Sequence, residues 1–517
     1  MPFFNNHNHT EYSNASCGFP DVINRVPDLI QRAYDLGLEG INITDHESLS
    51  SHIQALKYYN SMPKERPFTL ALGNEIYLLE ESEDMDNQFT DTYTPYYHFI
   101  LVALDTEGHE QLRQLSTRAW KRAYKKFIWR RPTYYSDLED IIKPNQGHVI
   151  ASTACLGSRI DHYLLAEKFD EVKQEISRLI DIFGEGNLYL EIQPSRDINT
   201  DQSVVNKQMF WLGGELNLPI IPTTDSHYLC KEDAFIHKTY LNSQEGEREV
   251  DDFYATAYLM GEDELRGYLH HEFNDIEIDQ MLEWSCELGR RIKGYELFHK
   301  PIIPQIPKWK LPEYSIKHTF GQFYDKYPNF KYYSSNERLG QERYFFSQIE
   351  TALENKIVAN ETKVNLLEKY IARLDEEWKE LRIISEQLNT SMASYYSTMS
   401  KIIDLIWEAD SLAMPARGSA AGFLTCYLLE VTQIDPVPLG DYFPSWRHLN
   451  HERGVELPDI DNDSEASKKQ AIVNKMKEYF GEDKVLNVAT FAKISSKTAI
   501  ERACKGLDVS NDTAAYL

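Results

Sequence analysis

Imidazoles, carboxylates and one thiol recur through the first half of this sequence where short apolar runs stop. His7 and His9 follow Phe3-Phe4 and flank Asn8; alternate residues of an extended backbone share a face, so the two imidazoles point one way. Ile41-Asn42-Ile43 stops at Thr44-Asp45-His46, and Thr69-Leu70-Ala71-Leu72 at Gly73-Asn74-Glu75. Val149-Ile150-Ala151 stops at Ser152-Thr153-Ala154-Cys155, Leu188-Tyr189-Leu190 near Gln193, and Pro219-Ile220-Ile221 at Thr224-Asp225-Ser226-His227. His98 instead precedes its run, Phe99 to Leu104. Together His7, His9, His46, Glu75, His98, Cys155, Asp225 and His227 offer enough nitrogen, oxygen and thiolate donors for more than one Zn²⁺- or Mn²⁺-like ion. Clustered ions activate water near neutral pH and neutralise a phosphate, which predicts phosphoester hydrolysis without a side-chain nucleophile.

A second constellation lies near the other end. Pro415-Ala416-Arg417-Gly418-Ser419-Ala420-Ala421-Gly422 runs into the apolar helical pattern Phe423 to Leu429. A small-residue turn opening a helix presents backbone N–H groups to an anion such as a triphosphate. Some forty residues on comes Leu457-Pro458-Asp459-Ile460-Asp461-Asn462-Asp463. On an extended strand Asp459 and Asp461 project together, and their repulsion is relieved by the paired divalent cations of in-line phosphoryl transfer. An anion cradle followed by such a pair predicts nucleotidyl transfer.

The elements that must position these groups follow from periodicity. Strand-like runs alternating with helical patterns over the first 290 residues imply a parallel sheet or barrel with its chemistry at the strand C-terminal ends. For His98 to reach that rim, its strand must run antiparallel to the one before it. The joining segment, Glu80 to Tyr97, is acidic and lacks helical periodicity. Pro301 to Pro312 is proline-punctuated and reads as an extended crossing. Leu366, Leu367, Tyr370, Ile371, Leu374, Trp378 and Leu381 then form one apolar helical face. Ser467 to Tyr479 predicts a helix, Val485 to Phe491 a strand, and Ala492 to Gly506 a helix.

Composition narrows the function classes. The 517 residues suffice for two or three domains. Apolar runs are strand-sized, no secretory leader is visible, and the six cysteines form no Cys-x-x-Cys pair, which together predict a cytoplasmic protein without a membrane span. A formal charge of −27 excludes nucleic-acid binding over the whole surface. The local exception is Trp120 to Arg131, where cations alternate with aromatics and could track a single strand.

Both constellations resemble one family. Arg417 to Gly422 followed by Pro458-Asp459-Ile460-Asp461, with Ile434-Asp435-Pro436, Arg447 to Arg453 and Thr490-Phe491-Ala492, resembles the palm of bacterial C-family replicative DNA polymerases, the DNA polymerase III alpha subunits. Ala416 stands where the family has Gly, and one extra residue separates Arg453 from Pro458. The first half resembles the polymerase and histidinol phosphatase (PHP) domain that opens those polymerases. The resemblance implies an α/β fold: a distorted seven-stranded (β/α) barrel over 1–290, a mixed α+β nucleotidyltransferase-like palm over 291–489 with a helical approach at 335–410, and the start of a helical thumb over 490–517. It implies a Zn²⁺ or Mn²⁺ cluster on the eight donors above plus a ninth, assigned to Asp21 with Cys17 as substitute, and Asp45 orienting a ligand. It implies Mg²⁺ on the catalytic Asp459 and Asp461, Asp463 as a less certain third carboxylate, and triphosphate contacts from Arg417, Gly418, Ser419, Arg447 and Arg453. The implied substrates are DNA primer-template and dNTPs, with a metal-dependent 3′→5′ exonuclease in the barrel. The family's third catalytic Asp, fingers and clamp-binding tail have no counterpart here, so a second polypeptide carrying them is expected. The alternatives are a stand-alone metallo-phosphoesterase with a remnant palm, and a non-catalytic scaffold stabilised by metal.

Overall fold

A computed structural model describes residues 2–17, 20–122, 130–243, 253–306, 310–453, 457–488 and 490–516. The chain divides into two compact units, residues 1–297 with 491–517, and residues 298–490.

The first unit is built on an eight-stranded sheet. Its strands are β1 (Phe4–Asn5), β2 (Gly40–Ile43), β3 (Thr69–Leu79), β4 (Tyr97–Ala103), β5 (Thr133–Tyr134), β6 (Val149–Ser152), β7 (Leu188–Ile192) and β8 (Ile220–Pro222). The main path is β1-β2-β3-β4-β6-β7-β8, with β5 paired to β3. All its neighbours are parallel except β4, which is antiparallel to both β3 and β6. This is the local reversal that His98 requires. The sheet nearly closes on itself: Asn8 and Ser226, just beyond β1 and β8, form a parallel bridge, and Asn5 Nδ2 donates to Thr224 Oγ1 at 2.7 Å. Strands buried on both faces read as continuous apolar runs, because helices cover the outside. One such helix, Phe169–Phe183, buries Val172, Ile176, Leu179 and Phe183 as a single stripe.

Two local expectations are corrected. The acidic segment after β3 contains a helix, Glu81–Phe89. Its first-turn carboxylates favour the positive helix end, and Glu83 accepts from the backbone N–H of Glu80 at 2.9 Å, which replaces an apolar stripe as the reason it forms. Also, β3 does not stop at Leu72 but continues to Leu79, so Glu75 lies within a strand. The continuation is held by β4 on one side and β5 on the other. Gly73 permits the approach: a Cβ there would lie 2.5 Å from Leu101 O and 2.7 Å from Asn42 Nδ2.

Residues 491–517 belong to this unit. Helix Ser496–Gly506 packs on helix Ala234–Leu241, with Gly506 against the Thr239 backbone, and Phe491 meets Tyr12 edge to face at 4.8 Å.

The second unit is helical. Pro328–Ser334, Gly340–Leu353, Leu367–Leu388 and Ala393–Glu408 enclose Trp378, which stacks on Phe330 at 5.3 Å and donates its indole N–H to Thr425 Oγ1. Tyr370, Ile371, Leu374, Trp378 and Leu381 face this core as their spacing requires. Among the described residues the unit has no strand ladder beyond the bridge Ala413↔Ser464. The strand expected over Val485–Phe491 is absent from its described residues; Leu486 and Val488 are largely exposed, so no apolar face is there to drive pairing. Among the described residues, no helix is long and apolar enough to cross a membrane.

Candidate metal centre and triphosphate loop

Eight of the nine expected donors converge at the C-terminal rim of the barrel, and Asp21 joins them. His9, His46 and His227 form one group of nitrogens within 4.8 Å of one another; His7, His9 and Glu75 form a second, and His46, Glu75 and His98 a third. Asp225 Oδ1 lies 3.2 Å from His7 Nε2 and 3.1 Å from His9 Nε2. Asp21 Oδ2 lies 3.2 Å from His46 Nε2 and 3.6 Å from His227 Nε2, and Cys155 Sγ lies 3.5 Å from His98 Nδ1. The side chain of Cys17 lies outside the described residues.

The donors fit a metal cluster better than a hydrogen-bonded network. Glu75 is fully buried, with Oε1 2.6 Å from His98 Nδ1 and Oε2 2.6 Å from His46 Nδ1. Yet neither Glu75 oxygen nor Asp225 Oδ1 accepts a hydrogen bond of acceptable geometry. The Nε2 atoms of His7 and His9 also face each other at 3.0 Å. Buried anionic oxygens and imidazole lone pairs directed at shared points are costly unless cations lie among them. Electrostatics in the metal-free chain agree. Burial alone would lower the pKa of His7, but Asp225, Glu191 and Glu75 outweigh it and raise it well above the ordinary value. Burial alone would raise Glu75, but His98, His46 and His7 hold it well below. Burial pushes the Cys155 thiol well up, so binding a metal there would require it to lose its proton.

The local backbone is shaped around these groups. Glu47, Ala154 and Asp225, each a candidate donor or next to one, have φ of 50°, 64° and 42°, a left-handed conformation costly for residues with a Cβ. A Cβ on Gly157 would sit 2.9 Å from His98 Cγ, so glycine there admits the ring. Asp45 holds Ser13 Oγ at 2.8 Å, and Ser13 Oγ meets His9 Nδ1 at 3.1 Å, so Asp45 reaches the candidate donor His9 through a serine. Sequence reasoning missed Glu191. It is buried on β7, accepts from His7 Nδ1 at 2.7 Å, and also accepts from Ser152 and Thr223 hydroxyls. Its position one residue before Ile192, at the end of an otherwise apolar run, was the available signal.

In the second unit, residues Gly418–Gly422 form a 3-10 turn before the short helix Leu424–Leu428. The expected free helix terminus is corrected: the buried Glu377 carboxylate accepts from Leu424 N, Thr425 N and Thr425 Oγ1 at 2.7, 2.9 and 2.8 Å. Arg373 clamps the same loop through Gly422 O and Phe443 O. The donors left for an anion belong to the turn itself. There Gly418, at φ +60°, brings its Cα face within 3.6 Å of Asp461 Oδ2, measured from an added Cβ. Arg417 reaches Asp461 at 3.6 Å and Asp463 at 2.6 Å. Ser419 Oγ pairs with His448 Nδ1 at 3.0 Å. Asp459 and Asp461 are exposed with half-buried Ile460 between them, in a segment that is not a ladder strand. Its register is held by Tyr395 OH donating to Pro458 O at 2.5 Å. Arg447 and Arg453 are exposed, with Arg453 5.4 Å from the Trp446 ring and Arg447 5.8 Å. Among the described residues neither is in an ion pair.

Known proteins match both halves. A model described as the PHP domain matches residues 5–195, and one described as the bacterial DNA polymerase III alpha NTPase domain matches residues 343–517. "Probable DNA polymerase YorL" of Bacillus subtilis (strain 168) is 38% identical over 534 residues, spanning 99% of this chain and 40% of that protein. DNA polymerase III subunit alpha of Thermus aquaticus is 27% identical over 557 residues, spanning 100% and 42%. That of Borreliella burgdorferi is 25% identical over 513 residues, spanning 98% and 39%. Over nearly its whole length the chain is similar to bacterial DNA polymerase III alpha subunits. It spans about two-fifths of the length of these relatives. The PHP match covers the barrel through β7, and a rim of this donor composition suits bound metal.

Proposed function

We propose that this chain supplies a metal-dependent phosphoesterase centre and part of the nucleotidyl-transfer site of a template-directed DNA polymerase. The observation that carries the first half is the set of nine convergent donors with buried carboxylate oxygens that no hydrogen bond satisfies. His7, His9, Glu75 and Asp225 would hold one ion, and Glu75, His46, His98, Cys155, Asp21 and His227 would share the others. Zn²⁺ or Mn²⁺ suits nitrogen- and thiolate-rich sites. Such ions, when bound, supply Lewis acidity and an activated water. The protein's own part is orientation: Glu191 fixes the His7 tautomer, Asp45 and Ser13 steady His9, and Gly157 seats His98. The reaction class is 3′→5′ exonucleolytic hydrolysis.

The second half rests on the approach of Asp461 to the Gly418 turn beside Arg417. Asp459 and Asp461 would bind Mg²⁺. Turn N–H groups, Ser419 and Arg417 would hold the triphosphate, with Arg447 and Arg453 as further cations. Primer-template DNA and dNTPs are the substrates, and the third carboxylate and fingers come from polypeptide beyond these residues or from a second chain. Two assays test the proposal. The purified chain with Mn²⁺ should degrade a 3′-labelled strand, and His227→Ala should abolish this. Combined with the remaining polymerase segment it should extend a primer, and Asp459→Ala should stop extension; extension indifferent to Asp459→Ala defeats the palm assignment.

The stand-alone phosphoesterase reading keeps a place because every donor of the metal centre lies within one unit. Strand degradation without extension under any combination would favour it.

A further inference from the structure

Beside the metal rim, three elements of the first unit meet in a small cationic and aromatic ledge. Trp120 ends helix Thr106–Lys121, is 44% exposed, and donates its indole N–H to the carbonyl of Glu47, the residue after His46. Arg131 lies over the Trp120 ring at 5.0 Å. Arg130 lies over the Tyr77 ring at 4.7 Å, and Tyr77 in turn stacks on His46 at 6.0 Å and tilts against His98 at 5.2 Å. One aromatic ring therefore separates a guanidinium from two donors of the metal centre.

We infer that this ledge binds a single-stranded nucleic acid and leads it to the metal centre. Three observations select that ligand. Arg130 is one ring removed from His46 and His98, and Arg131 lies over Trp120, so they suit the next phosphates of a strand better than a lone phosphate at the metals. The indole N–H is already committed to Glu47 O, so what Trp120 offers outward is ring surface, which every base can stack on. And in a chain of net charge −27, phosphate attraction must come from local cations. A pyrophosphate or small phosphomonoester uses none of these. The inference rests on the phosphoesterase reading of the metal centre and assigns the residues that hold its strand.

The test uses the full chain with its metals, a fluorescent phosphorothioate oligothymidylate that resists hydrolysis, and anisotropy. Trp120→Leu and Arg131→Ala should each weaken binding about tenfold, with metal content unchanged. Arg131→Ala should also flatten the log–log salt slope by about 0.7, the contribution of one single-strand phosphate contact. Affinity within twofold of wild type in both variants overturns the inference, as does a duplex whose binding falls equally on Trp120→Leu. If Trp120→Leu loses metal, Arg131→Ala decides alone. The two readings fail separately: absent metal or absent hydrolysis of bis-p-nitrophenyl phosphate defeats the phosphoesterase, whereas hydrolysis with indifferent strand affinity defeats only the ledge.

Discussion

Replacing Glu191 should weaken the metal centre without removing any ligand. Glu191 Oε1 accepts from His7 Nδ1 at 2.7 Å, Thr223 Oγ1 at 2.6 Å and Gln193 Nε2 at 3.3 Å, and Oε2 accepts from Ser152 Oγ at 2.8 Å. With Nδ1–H committed to this carboxylate, the lone pair of His7 is left on Nε2, which faces His9 and Asp225. Glu191→Gln can keep an oxygen toward His7 and Thr223, while its amide meets Ser152, whose hydroxyl turns to accept. Geometry is then kept and the charge that strengthens the imidazole as a ligand is lost. Removing such a partner costs about ten- to hundredfold in metal affinity, or about 1.4–2.7 kcal/mol. Glu191→Gln belongs at the lower end. Glu191→Ala belongs at the upper end, because His7, Thr223 and Ser152 also lose their acceptor, at about 1–3 kcal/mol of stability each. The assay is Zn²⁺ or Mn²⁺ titration of the stripped protein against a chromophoric chelator, with thermal melts alongside. Affinity within twofold of wild type for both variants would refute the view that His7 is a ligand held by this carboxylate.

Further outcomes follow from particular contacts. His448 is buried, burial holds its pKa down to about 4, and Nε2 has no hydrogen-bond partner. A buried unmet acceptor is tolerated better than an unmet N–H, so the proton sits on Nδ1 and donates to Ser419, leaving the serine O–H to donate outward; His448→Phe should raise the KM for dNTP several-fold in the reconstituted polymerase while kcat changes less. Glu377→Ala strips three donors of a buried acceptor and removes the carboxylate partner of Arg373, so the second unit should lose about 3–5 kcal/mol in urea unfolding. His52 and His109 form a buried pair at 3.0 Å, with pKa values lowered by burial to about 3 and about 4. Both are neutral when folded, so the unfolded chain takes up more protons below pH 6.5. The stability they carry is present above that value and lost as pH falls toward 4 and 3. At pH 5 the loss is about 2 kcal/mol per imidazole, and the stability of His109→Gln should fall correspondingly less than wild type between pH 7 and 5.

The metal rim was legible because its donors sit where apolar runs end, and a barrel must bring such ends together. Even the reversed strand could be read, from His98 lying before its run instead of after it. Glu191 escaped because a carboxylate inside a run looks like the solvent face of a strand; only tertiary closure shows that it is buried behind His7. The acidic helix Glu81–Phe89 escaped because its stability comes from charge at its start and a capping contact, which periodicity does not record. In the second unit the small-residue turn and the carboxylates were visible, and their approach at Gly418 follows from the left-handed turn. That Glu377 caps the following helix could not be read, since the partners are 47 and 48 residues apart. Nor could the lack of a ladder around Asp459, because alternate projection needs only extended backbone.

The central claim is that cations join the buried carboxylates and imidazoles of the barrel rim. Crystals of this chain grown with Mn²⁺, and data collected at the manganese edge, test it directly. Anomalous peaks are expected within about 2.0–2.3 Å of His7, His9 and Asp225 and of His46, Glu75 and His98. A rim without anomalous density, its imidazoles hydrogen-bonded to Glu75 and Asp225 instead, would contradict the account.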